Sequence, residues 1–88
     1  MTDAVRCWLV DRHVDDRNLV TLVYATRDGD RYQKRERSLV SLRNGPPVTA
    51  GTTINPSELE SVSDAETEAR YATEARRIAD RHEPDDRL

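Results

Sequence analysis

Phenylalanine is absent from this chain of 88 residues, and one Met, one Trp and three Tyr complete a thin supply of large side chains. A core must therefore be built mainly from Val, Leu and Ala. One small domain of this length buries roughly 60–65% of its unfolded surface, so its stability margin is thin and a dimer interface would add to it. Cysteine is nearly missing too. Cys7 stands alone, which excludes an intrachain disulfide and gives no sign of secretion. No apolar run approaches the ~18–20 residues of a membrane span. The opening Met-Thr-Asp-Ala-Val-Arg lacks a signal-peptide pattern. These absences predict a cytoplasmic protein.

Lysine is also scarce, and what replaces it is informative. Thirteen of the 14 basic residues are Arg, with Lys34 the exception, and ten of the 17 acids are Asp. That bias points to a GC-rich genome and a salt-loving host. The net charge of −3 is unevenly spread: residues 1–30 carry −2, residues 31–56 carry +4 and residues 57–88 carry −5. A basic middle and an acidic end complement each other within the fold or across a dimer.

Strand signals fill the first half of the chain. Val5 to Val14 reads as a strand, followed by the polar turn Asp15-Asp16-Arg17-Asn18. Leu19 to Thr26 is rich in β-branched and aromatic residues. Asp28-Gly29 then suggests a type I′ hairpin with positive φ at both central positions. A third strand is expected from Arg31 to about Leu42, stopped by Asn44-Gly45-Pro46-Pro47, and a short edge strand within Val48 to Ile54.

Helix signals follow. Asn55-Pro56-Ser57-Glu58 suits a single turn, and Ser63-Asp64-Ala65-Glu66 reads as a capping box with Ser63 as the cap. The helix expected from Ala65 to about His82 presents Ala69, Ala72, Ala75 and Ala79, flanked by Tyr71, Ile78 and His82, before Pro84 stops it. The fold class predicted is α+β: an antiparallel meander of three to four strands with one C-terminal helix on one face. Residues 1–82 form the domain and 83–88 an acidic tail.

Successive side chains of a strand point to opposite sides. One side then carries Trp8, Val10, Val14, Leu19, Val23 and Ala25, and the other Val5, Cys7, Leu9, Val20, Leu22 and Tyr24. Such a sheet is apolar on both faces, and one Ala-rich helix covers only one of them. A homodimer through the open face is therefore expected, with Trp8, Val10, Tyr24 and Tyr32 as interface candidates, because interface centres favour aromatic residues.

The chain also resembles a group of small uncharacterised haloarchaeal proteins of about 90 residues. The likeness rests on Arg6-Cys7-Trp8-Leu9-Val10, Tyr24-Ala25-Thr26-Arg27-Asp28-Gly29-Asp30-Arg31-Tyr32, Arg70-Tyr71-Ala72-Thr73-Glu74-Ala75 and Pro84-Asp85-Asp86-Arg87. The resemblance implies a halophilic setting and brings no activity or site residues with it.

Chemistry-bearing patterns are weak. Arg31, Gln33, Arg35 and Arg37 alternate onto one strand face, where guanidinium groups suit phosphates. With Lys34 they are the nucleic-acid candidates, although the chain is acidic overall and carries no recognition motif. Counterion release would also weaken such contacts in a salt-rich interior. Asp11-Arg12-His13 and Asp80-Arg81-His82 form a near-duplicate of imidazole beside carboxylate, which chance explains in so Asp- and Arg-rich a chain. Cys7 and His13 lie about 20 Å apart along one extended strand at ~3.3 Å per residue, beyond intramolecular hydrogen-bond reach.

No nucleophile–base pair, phosphate loop or metal spacing can be assembled. The expectation is thus no catalytic residue, no metal and no cofactor. The function predicted is a non-enzymatic protein-interaction or accessory protein with an unknown protein partner, and the alternative is a nucleic-acid-binding module using Arg31, Lys34, Arg35 and Arg37.

Overall fold

The computed structural model describes residues 3–88. Strands β1 (Val5–Val14), β2 (Leu19–Thr26) and β3 (Arg31–Ser38) form the expected antiparallel meander. Two further strands, β4 (Gly51–Ile54) and β5 (Glu60–Ser61), pair antiparallel to β1 and β3. The sheet therefore has five strands in the order β4-β1-β2-β3-β5, not three or four. Two helices accompany it rather than one: α1 (Leu39–Asn44) and α2 (Ala65–Arg81).

The third strand was expected to reach Leu42, but it ends at Ser38. The Ser38 hydroxyl oxygen accepts the Ser41 N–H at 3.0 Å and starts α1. Leu39 and Leu42, one helical turn apart, then pack on the core while Val40 stays exposed. The fifth strand is two residues long and carries no propensity signal. Arg31–Ser61 and Tyr32–Glu60 pairing holds it, together with the Val62 N–H donating to Asp30 O at 2.9 Å.

Turn chemistry shapes the hairpins. Asn18 at φ 62° closes the first, where the Asp15 carboxylate accepts the Arg17 and Leu19 N–H groups. The second is not a type I′ turn: among the described residues only Asn18 and Gly29 (φ 76°) have positive φ. The Gly29 N–H donates to Thr26 O, and Thr26 Oγ1 donates to Asp30. The single turn after Asn55 forms as a 3-10 helix, Pro56–Glu58. Asp64 rather than Ser63 caps α2, accepting the Thr67 N–H at 2.8 Å.

Both sheet faces are covered within one chain. Helix α2 buries Tyr71, Ala72, Ala75 and Ile78 against a face carrying Trp8, Val23 and Ala25. The opposite face holds Cys7, Leu9, Val20, Leu22, Tyr24 and Ile54, and it is closed by Leu39, Leu42, Val48 and Leu59. The second cover is thus α1 with the connection that follows it. A β-bulge between Leu9 and Asp11 inserts Val10 without a partner on β2. Beyond it Val14 pairs with Val20, so Val14 lies on the opposite side from that given by simple alternation. Residues 84–88 run along Val48–Gly51, the segment that leads into β4, with Ala50 N–H donating to Asp86 O at 2.8 Å and Gly51 N–H to Pro84 O at 2.9 Å.

Candidate functional site

Register decides where the basic residues of β3 point. Val20 pairs with Arg37, Leu22 with Arg35 and Tyr24 with Gln33, so these side chains share the face opposite α2. Arg31 joins them by alternation. Lys34 pairs with Val23 and lies on the α2 face, away from the other three nucleic-acid candidates. Among the described residues, ion pairs within 4.0 Å form at Asp15–Arg17, Arg27–Asp80 and Glu74–Arg77, imidazole–carboxylate contacts at Asp11–His13 and His82–Asp86, and none involves Arg31, Lys34, Arg35 or Arg37.

Between β3 and the Pro46–Thr49 connection lies a cavity of about 390 Å³. Leu22, Pro46, Pro47 and Val48 give it apolar walls, Arg35 and Arg37 give it positive charge, and no carboxylate lines it. Its far wall is braced at two points. The Arg37 guanidinium donates to Pro46 O at 2.9 Å and to Ser41 O at 2.8 Å, and the Tyr24 hydroxyl donates to Thr49 O at 3.0 Å. Gly45 allows the first brace. A Cβ there would stand 2.7 Å from an Arg37 terminal nitrogen and 2.6 Å from Ser41 O.

Arg35 is held differently. Its guanidinium lies over the Tyr24 ring at 5.1 Å, and its Nε donates to Gln33 at 2.7 Å. Both terminal nitrogens are left without a hydrogen-bond acceptor among the described residues. This is the fork that binds carboxylate or phosphate in a bidentate way.

The remaining sequence candidates are dispersed. Trp8, Val10 and Tyr32 lie on the α2 face and Tyr24 on the other; Trp8 is 8% exposed and Tyr24 3%. Tyr32 meets Tyr71 at 6.0 Å between ring centroids, and its hydroxyl is pushed up in pKa chiefly by a hydrogen bond with Glu60. Cys7 is fully buried, and burial raises its thiol pKa against the weaker pull of Arg31, Arg35 and Arg6. A thiol so placed stays protonated and unreactive at neutral pH. His13 and His82 each pair with a carboxylate of their own segment. Among the described residues no three His, Cys, Asp or Glu side chains gather as metal ligands. No described helix is long and apolar enough to cross a membrane.

Sequence reasoning found Arg35 and Arg37 but missed the wall facing them. Asn44-Gly45-Pro46-Pro47 was legible only as a stop after β3. The spacing of Leu39 and Leu42, which folds this segment back across the sheet, was the signal available.

No curated protein and no solved structure matches the chain. A family model does, over residues 1–88, and on that match the chain belongs to a family of unknown function, DUF7967.

Proposed function

We propose that this is a small non-enzymatic accessory protein that acts by binding an acidic protein segment along the β3 side of its sheet. One observation carries the reading: Arg31, Arg35 and Arg37 share a face on which, among the described residues, none has a carboxylate within ion-pair distance. Uncompensated guanidinium groups on a chain of net charge −3 favour an anionic partner.

Nucleic acid is the second reading, and the same row favours it. Against it stands the lack of a stacking platform, since Tyr24 is the aromatic side chain on this face and Arg35 covers its buried ring. A homodimer through the sheet would need Trp8 and Tyr24 at the surface. Their burial within one chain leads us to assign the partner as a different protein.

Fluorescence anisotropy with a labelled Glu- and Leu-rich peptide and with a labelled single-stranded oligonucleotide tests this. The expected result is peptide binding that Arg35→Glu abolishes, with weaker retention of the oligonucleotide. Tighter, Arg35-dependent binding of the oligonucleotide would replace the protein partner with nucleic acid. Binding unchanged in Arg35→Glu would remove this face from the function.

A further inference from the structure

We infer that the cavity between β3 and the Pro46–Thr49 connection is a binding site for a small oxyanion, carboxylate or phosphate, carried on an apolar body. The inference rests on the β3 side being the working surface and adds a ligand class to it. Three observations converge. At about 390 Å³ the cavity falls within the roughly 300–1,000 Å³ typical of small-molecule sites. Its walls are set before a ligand arrives, because Tyr24 and Arg37 pin the Thr49 and Pro46 carbonyls at 3.0 and 2.9 Å. Preorganisation of this kind lowers the entropy lost on binding.

The third observation is the division of labour between the two arginines. Arg37 spends its donors on Ser41 and Pro46 and acts as part of the wall. Arg35 is oriented by the Tyr24 ring and by Gln33, with its terminal nitrogens unengaged. An oxyanion presenting two oxygens to that fork would make two charge-assisted hydrogen bonds. The attached carbon skeleton would lie on Leu22, Pro47 and Val48, while the Thr52 side chain at the rim offers a hydroxyl. A free inorganic anion would leave those apolar walls unused, so the apolar body belongs to the ligand.

The test is an NMR titration of the full 15N-labelled chain with sodium benzoate, phenyl phosphate, inorganic phosphate and neutral benzyl alcohol. Benzoate or phenyl phosphate should produce saturable shifts centred on Tyr24, Arg35, Thr49 and Thr52. The tighter of the two identifies the oxyanion. Losing two charge-assisted hydrogen bonds should weaken binding by about tenfold or more, both for benzyl alcohol and for Arg35→Gln. The unchanged dispersion of the Arg35→Gln spectrum shows that the fold is intact.

Equal binding of benzyl alcohol, or full binding by Arg35→Gln, overturns the inference. Inorganic phosphate binding as tightly as phenyl phosphate overturns the role of the apolar walls. Failure of benzoate and phenyl phosphate beside retained, Arg35-dependent peptide binding sinks the pocket alone. Failure of all of them sinks the working surface as well.

Discussion

Adding one methyl group at Gly29 should damage this fold more than its size suggests. Gly29 is buried in the β2–β3 hairpin with φ 76°, and α2 crosses directly over it. A Cβ there would lie 2.5 Å from the Ala72 nitrogen, 3.0 Å from the Ala72 Cα, and against the Glu68 carbonyl oxygen. All three are helix backbone, so no side-chain rotation relieves the overlap. The left-handed backbone costs an alanine roughly 1–2 kcal/mol. Forcing extra volume into a packed contact costs about 1–3 kcal/mol more. Gly29→Ala is therefore expected to lose about 2–5 kcal/mol, which is roughly 10–30 °C in Tm for a domain of this size. Urea denaturation followed by circular dichroism gives the number. Asn tolerates positive φ but carries the same Cβ and a larger side chain, so Gly29→Asn recovers part of the φ cost only and should remain clearly destabilised. A loss below about 1 kcal/mol for Gly29→Ala would mean that α2 does not rest on this turn, and would refute the packing argument.

Two other perturbations follow from the same structure. Trp8 is 8% exposed beneath α2, so Trp8→Ala should cost about 3–5 kcal/mol; light scattering should give a monomer for both proteins, at low and at multimolar salt. A wild-type dimer that this variant dissociates would restore a sheet-face interface. Backbone N–H groups hold the Asp15 and Asp64 carboxylates below their ordinary pKa of 3.8. Depressed folded-state values mean that their stabilisation is complete above about pH 4 and is lost as pH falls through the folded pKa. Asp15→Asn and Asp64→Asn should therefore lower Tm at pH 7 and flatten its decline below pH 4. Acid limbs parallel to the wild type would show that neither carboxylate contributes to it.

Much of the sheet was readable because burial follows alternation. Val20, Leu22 and Tyr24 on one side and Val23 and Ala25 on the other come straight from period two. Helix α2 was equally plain from its alanine spacing and the Ser63–Glu66 capping pattern, although Asp64 and not Ser63 is the cap. What escaped were features whose cause is tertiary. The bulge at Val10 depends on a register shift against β2, and the two-residue β5 depends on its neighbours. Among the residues of α1 only Val40 favours a strand; Leu39, Leu42 and Arg43 suit a helix, and the Ser38 cap with the burial of Leu39 and Leu42 settles it. That last error mattered most, because a strand running to Leu42 leaves one sheet face bare and makes a dimer look necessary. A short helix that turns the chain back over the sheet removes the need and leads into the Pro46–Thr49 segment that walls the cavity.

The polar row on β3 finally separates what the fold requires from what it does not. A strand facing a core at positions 35 and 37 could carry valine, given that its partners Leu22 and Val20 are 2% and 1% exposed. Arg37 has a structural reason to be there, since it holds the Ser41 carbonyl of α1 and the Pro46 carbonyl of the α1–β4 connection. Arg35 has only a ring beneath it and a glutamine beside it. Arg37→Val should accordingly lose about 1–3 kcal/mol through the lost partner of the Pro46 carbonyl and the loosened loop, the Ser41 carbonyl still accepting the Gly45 N–H. Arg35→Val should stay within about 1 kcal/mol of the wild type, because it forfeits little more than one exposed cation–π contact. The same Arg35→Val variant should lose benzoate and peptide binding. A residue that stability can spare but binding cannot is one retained for function. If Arg35→Val instead proves the costlier of the two, Arg35 is a part of the core cover and the argument for a site at β3 falls with it.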